Sequence, residues 1–319
     1  MNKEFDYIVI GAGIAGCCLA YFLSKYSKSI LLIDRNSQVA FGASGAAGAF
    51  LSPLLGKPND FKDLVTKSLI FSTNFYKNLG EELVSNCGVC RIPKNEEDRD
   101  KFESYKPYMD FKYTQMNDGY FFEIGSQVTP SLICEKLTKD IEKKLSYNVI
   151  KLEQNENSTW IINDEICAKN IILTTGADVK HIKEDYFDIR GVWGQKIDVS
   201  TTTETKINYH KECSVSKASK IEGSDLYKVS IGATHHKFNC DKNICNYCIE
   251  TANINACSRC YNDSIINNDS AKLIALANDI IKLENVEVID VKIGARASSN
   301  DYFPMLGVLI DSKKSIEKY

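Results

Sequence analysis

Gly11, Gly13 and Gly16 stand in the spacing G-x-G-x-x-G directly after the apolar run "YIVI", and a carboxylate, Asp34, follows eighteen residues beyond the last of them. That combination can hold a dinucleotide. The first glycine permits a tight turn, the second lets backbone approach a pyrophosphate, and the third allows a helix to pack close to the strand. The helix N-terminus would receive the anion, and an acid ending the next strand would accept hydrogen bonds from ribose hydroxyls. Ile14 and Ala15 inside the turn, and Arg35 beside the acid, belong to the same candidate cradle. A second constellation is built of thiols: Cys240 to Cys260 run as C-x4-C-x2-C-x8-C-x2-C, so that Cys245, Cys248, Cys257 and Cys260 form two C-x2-C pairs. Four thiolates at such spacing can surround a structural zinc and staple a loop. A cysteine-rich insertion with free thiols is the alternative, and the neighbouring His235 and His236 add ligand candidates without deciding between them.

The elements that must position the glycines follow from texture. "YIVI" is short, apolar and partly β-branched, "IAGCCLAYFLSKY" carries apolar residues at helical spacing, and "SILLID" returns to strand, which together make one βαβ unit. Residues 59–79 predict an amphipathic helix capped by Asn59 or Asp60 and stopped by Gly80. A second helix is expected from about 131 to 145 and a third over 270–283. Between 149 and 177 the chain reads as short strands separated by polar turns, and 192–229 and "VEVIDVKIGARA" are also strand-like. Helices and strands alternate at the start while the middle is antiparallel in character. The expected fold class is therefore α/β, a Rossmann-like domain interleaved with an α+β antiparallel-sheet domain.

The bulk composition excludes several classes. With 319 residues, 44% hydrophobic and 25% charged, the chain can bury a sizeable core and is neither disordered nor fibrous. A net charge of −3 gives no global field for nucleic acid, although a local patch remains open. The N-terminus lacks the basic n-region and cleavage site of a secretory signal, and glycines interrupt the apolar stretch 7–23, so neither export nor a membrane span is expected. Twelve cysteines in a chain of this kind read as reduced, buried or metal-bound, and the expected location is the cytoplasm. Cys17, Cys18, Cys87 and Cys90 read as packing residues.

The glycine motif alone does not separate NAD from FAD. A second bare stretch, "FGASGAAGAFLSPLLG" at 41–56, begins to do so, because backbone without bulky side chains can pass close to an extended cofactor. With "DYIVIGAGIAG…LLIDR", "GASGAAGAF", "NIILTTGA" and "GARASSNDYFPMLG", the chain resembles the FAD-dependent oxidoreductases of the D-amino-acid oxidase and glycine oxidase type. Within that type, "LSPLLGKPN", "RGVWGQ" and the "GARASS" segment are similar to the flavin part of bifunctional tRNA-modifying enzymes.

The resemblance implies FAD beside Ala43, Ser44, Ala47, Gly48 and Ala49, and also beside Thr175 and Gly176. It implies Arg296 as the guanidinium that grips a substrate carboxylate, with Arg190 and Lys57 as weaker candidates for contacts to substrate or RNA phosphate. It divides the chain into an FAD domain at 1–56, 125–185 and 286–319 and a substrate domain at 57–124 and 186–285, with the cysteine-rich insertion at 240–260. The implied reaction is oxidative removal of the carboxymethyl group from 5-carboxymethylaminomethyl uridine at the tRNA wobble position. A small-molecule amine oxidase acting on glycine, sarcosine or a D-amino acid is the alternative. No stable protein partner is implied. Proteins of this type continue past the "FPMLG" segment to another glycine-rich turn and helix, whereas this sequence stops at Tyr319, the pattern of a piece of a longer protein. An inert, truncated or zinc-stapled binding protein is the third expectation.

Overall fold

The computed structural model describes residues 4–182, 184, 186, 188–237, 261–310, 312 and 315. Its first sheet grows around the strand Glu4–Ile10, which pairs in parallel with Ile30–Ile33 on one side and Ile166–Leu173 on the other. Glu142–Lys144 extends one edge in parallel, while Trp160–Ile162 and Leu152–Gln154 extend the other as an antiparallel meander. The strands alternate strictly. Val9, Ile30 and Leu32 face one core with Cys17, Ala20 and Ile133, whereas Ile8, Ile10, Leu31 and Ile33 face a second with Ile162 and Ala168. Burying both faces explains why this strand pair is apolar almost throughout.

The helix Asp60–Leu79 forms as expected: Asn59 Oδ1 accepts from Lys62 N at 2.9 Å and Gly80 follows its last turn. Two other helices differ from their expected spans. The one expected over 131–145 covers only Pro130–Leu137, because the backbone leaves helical geometry at Thr138, φ −106° and ψ 13°, and the chain turns into the edge strand Glu142–Lys144. The one expected over 270–283 covers Asp263–Asn278, started by Asn262, whose Oδ1 accepts from Ile265 N. Asn278 Oδ1 accepts from Leu283 N just beyond its end.

A nine-stranded sheet forms the second layer, antiparallel except where Asn208–His210 runs parallel to Val89–Arg91. Its long strand Arg190–Thr201 lies between the edge strand, Glu287–Ser298, which is also the last, and Tyr227–Gly232. One face of this sheet buries Ile197, Val199, Val229 and Ile231 against Leu273 and Ala277 of the helix Asp263–Asn278. The opposite face carries Val192, Gly194 and Lys196 with their partners Arg296, Gly294 and Lys292, and it turns toward the first sheet. A small sheet of Phe50–Leu51, Ser126–Val128 and Val84–Ser85 ties the layers together. The fold class expected from the sequence, a Rossmann-like part joined to an antiparallel-sheet part, is the one observed. Among the described residues no helix is long and apolar enough to cross a membrane.

Candidate active site

The glycine turn is locked by Thr174. Gly11 has φ +111°, and a Cβ there would lie 2.7 Å from the Thr174 carbonyl carbon. Thr174 Oγ1 donates to Gly11 O at 2.8 Å and lies 3.0 Å from Ile10 O, while a side chain at Gly16 would overlap the Gly11 carbonyl and press on Thr174. The helix Ile14–Leu23 therefore starts hard against the strand ends. Its intrahelical bonding begins with Cys17 N to Gly13 O, so the N–H groups of Ala15 and Gly16 precede any intrahelical acceptor. Asp34 Oδ2 accepts from Ala12 N at 2.6 Å and Oδ1 from Asn36 N and Nδ2, each at 2.8 Å. The turn, the helix N-terminus and the acid thus come together as the spacing suggests. Arg35 pairs with Asp178 at 2.8 Å, and Asp178 N donates to Thr175 O across the turn that holds Gly176 at φ +64°.

The bare stretch after Asp34 is a joint between the two layers. Ala43–Ala46 forms a short helix, and Ser44 Oγ accepts from Ile14 N at 2.9 Å, closing it onto the first helix's N-terminus. On its other side, a Cβ at Gly294 would lie 2.7 Å from Ala43 Cα and 3.0 Å from Ala46 Cβ, so only glycine lets the last strand approach this closely. Ala47 ends the short helix, and Gly48 and Ala49 lead into Phe50–Leu51, with the Gly48 carbonyl held by Gln127 Nε2 at 3.0 Å and the Ala49 carbonyl by Val128 N at 3.1 Å. The Ala15 and Gly16 N–H groups, with no hydrogen-bond partner among the described residues, and an acid at the second strand's end make a cradle that fits an adenine dinucleotide.

Arg296 lies two residues beyond Gly294, on the same face of the large sheet. Its guanidinium occupies the space that a side chain on Gly194 would fill: a Cβ there would lie 2.8 Å from Nη1 and 3.0 Å from Nη2. Nη1 donates to Thr234 O at 3.4 Å, and among the described residues no carboxylate forms an ion pair with it. Burial lowers its pKa, opposed by the neighbouring Tyr261 phenol. Lys196, on the same face, is by contrast fully engaged, buried with its Nζ 2.8 Å from Asp198 Oδ1.

Behind Arg296 the segment Thr234–His236 is pinned from the helix side. Thr234 Oγ1 donates to the buried Asp269 Oδ2 at 2.8 Å, His236 Nε2 lies 2.8 Å from the same oxygen, and the Tyr261 hydroxyl donates to it as well. Burial pushes the Asp269 carboxyl up, but the hydrogen bonds from Tyr261, Thr234 and His236 overcome it and leave it below the ordinary value. Backbone bonds between Trp193 and His236, and from Thr234 N to Gln195 O, complete the clamp.

The weaker candidates lie elsewhere. Arg190 is exposed and hydrogen-bonded to Asn300, and Lys57 is exposed on the loop before the helix Asp60–Leu79. Cys245, Cys248, Cys257 and Cys260 lie outside the described residues; among those described, no group of three or more His, Cys, Asp or Glu is placed to hold a metal. Sequence reasoning missed Thr174, Gly194 and Gly294. The doublet "TT" before Gly176 was the one local signal for Thr174, while the two glycines acquire meaning only from strand register.

Comparison with known proteins agrees with this architecture. Residues 6–312 match the family described as DAO, FAD dependent oxidoreductase. Among curated proteins, the bifunctional tRNA 5-methylaminomethyl-2-thiouridine biosynthesis protein MnmC of Legionella pneumophila (strain Lens) is 25% identical over the whole chain, and that of Campylobacter jejuni (strain ATCC 700819 / NCTC 11168) is 24% identical over 99% of it. The chain spans 48% of the length of each. Glycine oxidase from Geobacillus kaustophilus shares the fold with a TM-score of 0.73 at 13% identity, covering 98% of this chain and 87% of that one. Iminodiacetate oxidase from Chelativorans sp. BNC1 does so with a TM-score of 0.64 at 15% identity, over 92% and 84%. The match along nearly its whole length makes this chain a member of the DAO family of FAD-dependent oxidoreductases.

Proposed function

We propose that this chain oxidises the CH–NH bond of an N-carboxymethyl amine with FAD, and that its substrate is the 5-carboxymethylaminomethyl group of a wobble uridine in tRNA. The observation that carries the first half is Arg296: a guanidinium set over the bare Gly194, on the sheet face whose Gly294 meets Ala43 and Ala46, with no carboxylate of the described chain to neutralise it. Such a group holds a carboxylate with two parallel charge-assisted bonds. Bound FAD supplies the hydride acceptor for the carbon next to nitrogen. The chain's own share is positional. Gly11, Gly13, Ile14, Ala15 and Gly16 would hold the pyrophosphate, Asp34 the adenosine ribose, and Ala43, Ser44, Ala47, Gly48 and Ala49 the length of the cofactor, with Arg35, Thr175 and Gly176 at its border. Arg296 would fix the substrate so that the reacting carbon is presented in one orientation, which is where a rate gain without a covalent step comes from.

The second half, the tRNA, is supported by the MnmC relatives, whose name describes a role in tRNA 5-methylaminomethyl-2-thiouridine biosynthesis and whose length is about twice the portion matched here. Purified protein with FAD is incubated with tRNA that retains 5-carboxymethylaminomethyl uridine, and the nucleosides are analysed by mass spectrometry. Conversion to the aminomethyl base is expected, with Arg296→Met abolishing it at low tRNA concentration. Persistence of the modified base together with peroxide production from glycine or sarcosine would overturn the tRNA assignment in favour of a small-amine oxidase. The four cysteines Cys245, Cys248, Cys257 and Cys260 are proposed, on spacing alone, to bind one structural zinc, which metal analysis of the purified protein checks directly.

A further inference from the structure

Strand alternation assigns a role to His235. Thr234 and His236 both turn to Asp269 on the helix Asp263–Asn278, so the residue between them must point to the opposite face of the sheet. That face is the one occupied by Gly194, Gly294 and the Arg296 guanidinium. The pairing places His235 across from Gly194, because its neighbours bond to Trp193 and Gln195 on either side of that glycine. The peptide carbonyl that receives Arg296 Nη1 is that of Thr234, the bond immediately before His235. His235 is also exposed, so its ring meets solvent.

From this placement, and resting on the reading of Arg296 as the substrate's carboxylate anchor, we propose that His235 accepts the proton of the substrate's ammonium before the amine is oxidised. In an N-carboxymethyl amine one carbon separates the carboxylate from the nitrogen, so a base flanking the carboxylate's guanidinium lies beside the N–H that must be removed. The step balances simply: the N–H bond of the secondary ammonium breaks, its electron pair stays on nitrogen, and the proton goes to the imidazole. The neutral amine then has the lone pair that hydride loss from the adjacent carbon requires. Among the described residues, the charged and titratable groups around His235 are Arg296 from the last strand, His236 from its own segment on the far face, Lys94 from the loop before the helix Glu96–Tyr105, and His210 from the strand Asn208–His210, and none of these is a carboxylate. Partial desolvation where the ring leaves the sheet, then Arg296, His236 and Lys94, hold the imidazole below its ordinary pKa, which keeps it unprotonated and able to accept at neutral pH.

The test is His235→Gln, which keeps a polar side chain of similar reach at an exposed position but cannot accept a proton. With tRNA carrying 5-carboxymethylaminomethyl uridine as substrate, the wild type should lose kcat/KM as pH falls below the imidazole's pKa. The variant should lose that acid limb, run about 100-fold slower at pH 7, and recover as pH rises and free amine becomes available, with flavin content and thermal midpoint unchanged. A second readout is independent of turnover. The chain has four histidines, so the imidazole resonance missing from the variant identifies His235, and its NMR titration midpoint should shift when the nucleoside 5-carboxymethylaminomethyluridine is added. A variant with wild-type rate and pH profile, or a His235 titration indifferent to the nucleoside, overturns the proposal while leaving the carboxylate anchor intact. A wild type that neither oxidises the tRNA nor binds the nucleoside overturns the anchor and this inference together.

Discussion

Gly194→Ala is the sharpest probe of the candidate site, because one methyl group competes directly with the guanidinium. The added Cβ would stand 2.5 Å from Thr234 O, 2.8 Å from Arg296 Nη1 and 3.0 Å from Nη2, all well inside ordinary contact. Something must move, and the two neighbours differ in stiffness. Thr234 is fixed through its N–H to Gln195 O at 3.1 Å and its hydroxyl to Asp269 at 2.8 Å, whereas the guanidinium hangs on soft side-chain torsions and holds the chain by one bond at 3.4 Å. Arg296 therefore yields. If it loses one of two parallel bonds to a bound carboxylate, the loss is about 1.5–3 kcal/mol, a bond to a charged group being of that order. At about 1.4 kcal/mol per tenfold change, KM for the N-carboxymethyl substrate should rise about 10- to 150-fold. The methyl group's own overpacking should lower stability by about 1–3 kcal/mol, while flavin content holds because the glycine turn at Gly11–Gly16 is untouched. Steady-state kinetics at matched flavin loading, with a urea titration alongside, reads both quantities. A KM equal to wild type in a variant that is measurably destabilised would show that the guanidinium's position is irrelevant to substrate, and the anchor reading would fall.

Three further outcomes follow from other contacts. Gly48→Leu should reduce flavin content after purification, since even a Cβ at that position would lie 2.6 Å from the Phe50 ring and displace the stretch proposed to line the cofactor; an unchanged ratio of flavin to protein absorbance would refute that placement. Asp269→Leu removes the common acceptor of Thr234, Tyr261 and His236 and should cost about 3 kcal/mol or more by urea unfolding, with Asp269→Asn recovering part of it; an equal loss in both would refute the shared-acceptor account. His210, pushed down to about 3 by burial and by Arg91, Lys94 and His235, stays neutral in the fold while the unfolded chain takes up a proton near pH 6.5. Folded stability should therefore fall with pH, by about 2 kcal/mol between pH 6.5 and 5 at about 1.36 kcal/mol per unit, and His210→Gln should flatten that slope.

What the sequence disclosed is what is local. The G-x-G-x-x-G turn, Asp34 and the cap at Asn59 each act within a few residues or one βαβ unit, so spacing alone carries them. Arg296 was reachable only through resemblance, since nothing in "GARASS" distinguishes a half-buried arginine from a surface one. Its slot was not legible at all. Gly194 opposes Gly294 and His235 through pairings between distant segments, and a pattern of single glycines in a strand gives no hint of which partner each will meet. The misplaced helix limits have the same origin. Apolar periodicity continues past Leu137 and past Asn278, but the backbone turn at Thr138 and the Asn278 side chain accepting from Leu283 N mark helix ends that periodicity does not see.

The doublet His235–His236 shows how much a register decides. Read along the chain, two adjacent imidazoles beside a cysteine cluster look like one metal-binding pair. In the sheet they are separated by the alternation of a strand: His236 joins Asp269 in the network that stiffens Thr234, and His235 stands on the far side with Arg296. The same two-residue period puts the Asp269 network behind the sheet and the Arg296 guanidinium in front of it. The network behind can then be rigid without occupying the space in front, where the guanidinium touches it only through one long bond to Thr234 O and keeps its side-chain freedom. A site built this way depends on the large sheet for orientation and on the bare joint at Ala43–Ala46 for proximity, and Gly294 is where the two requirements meet.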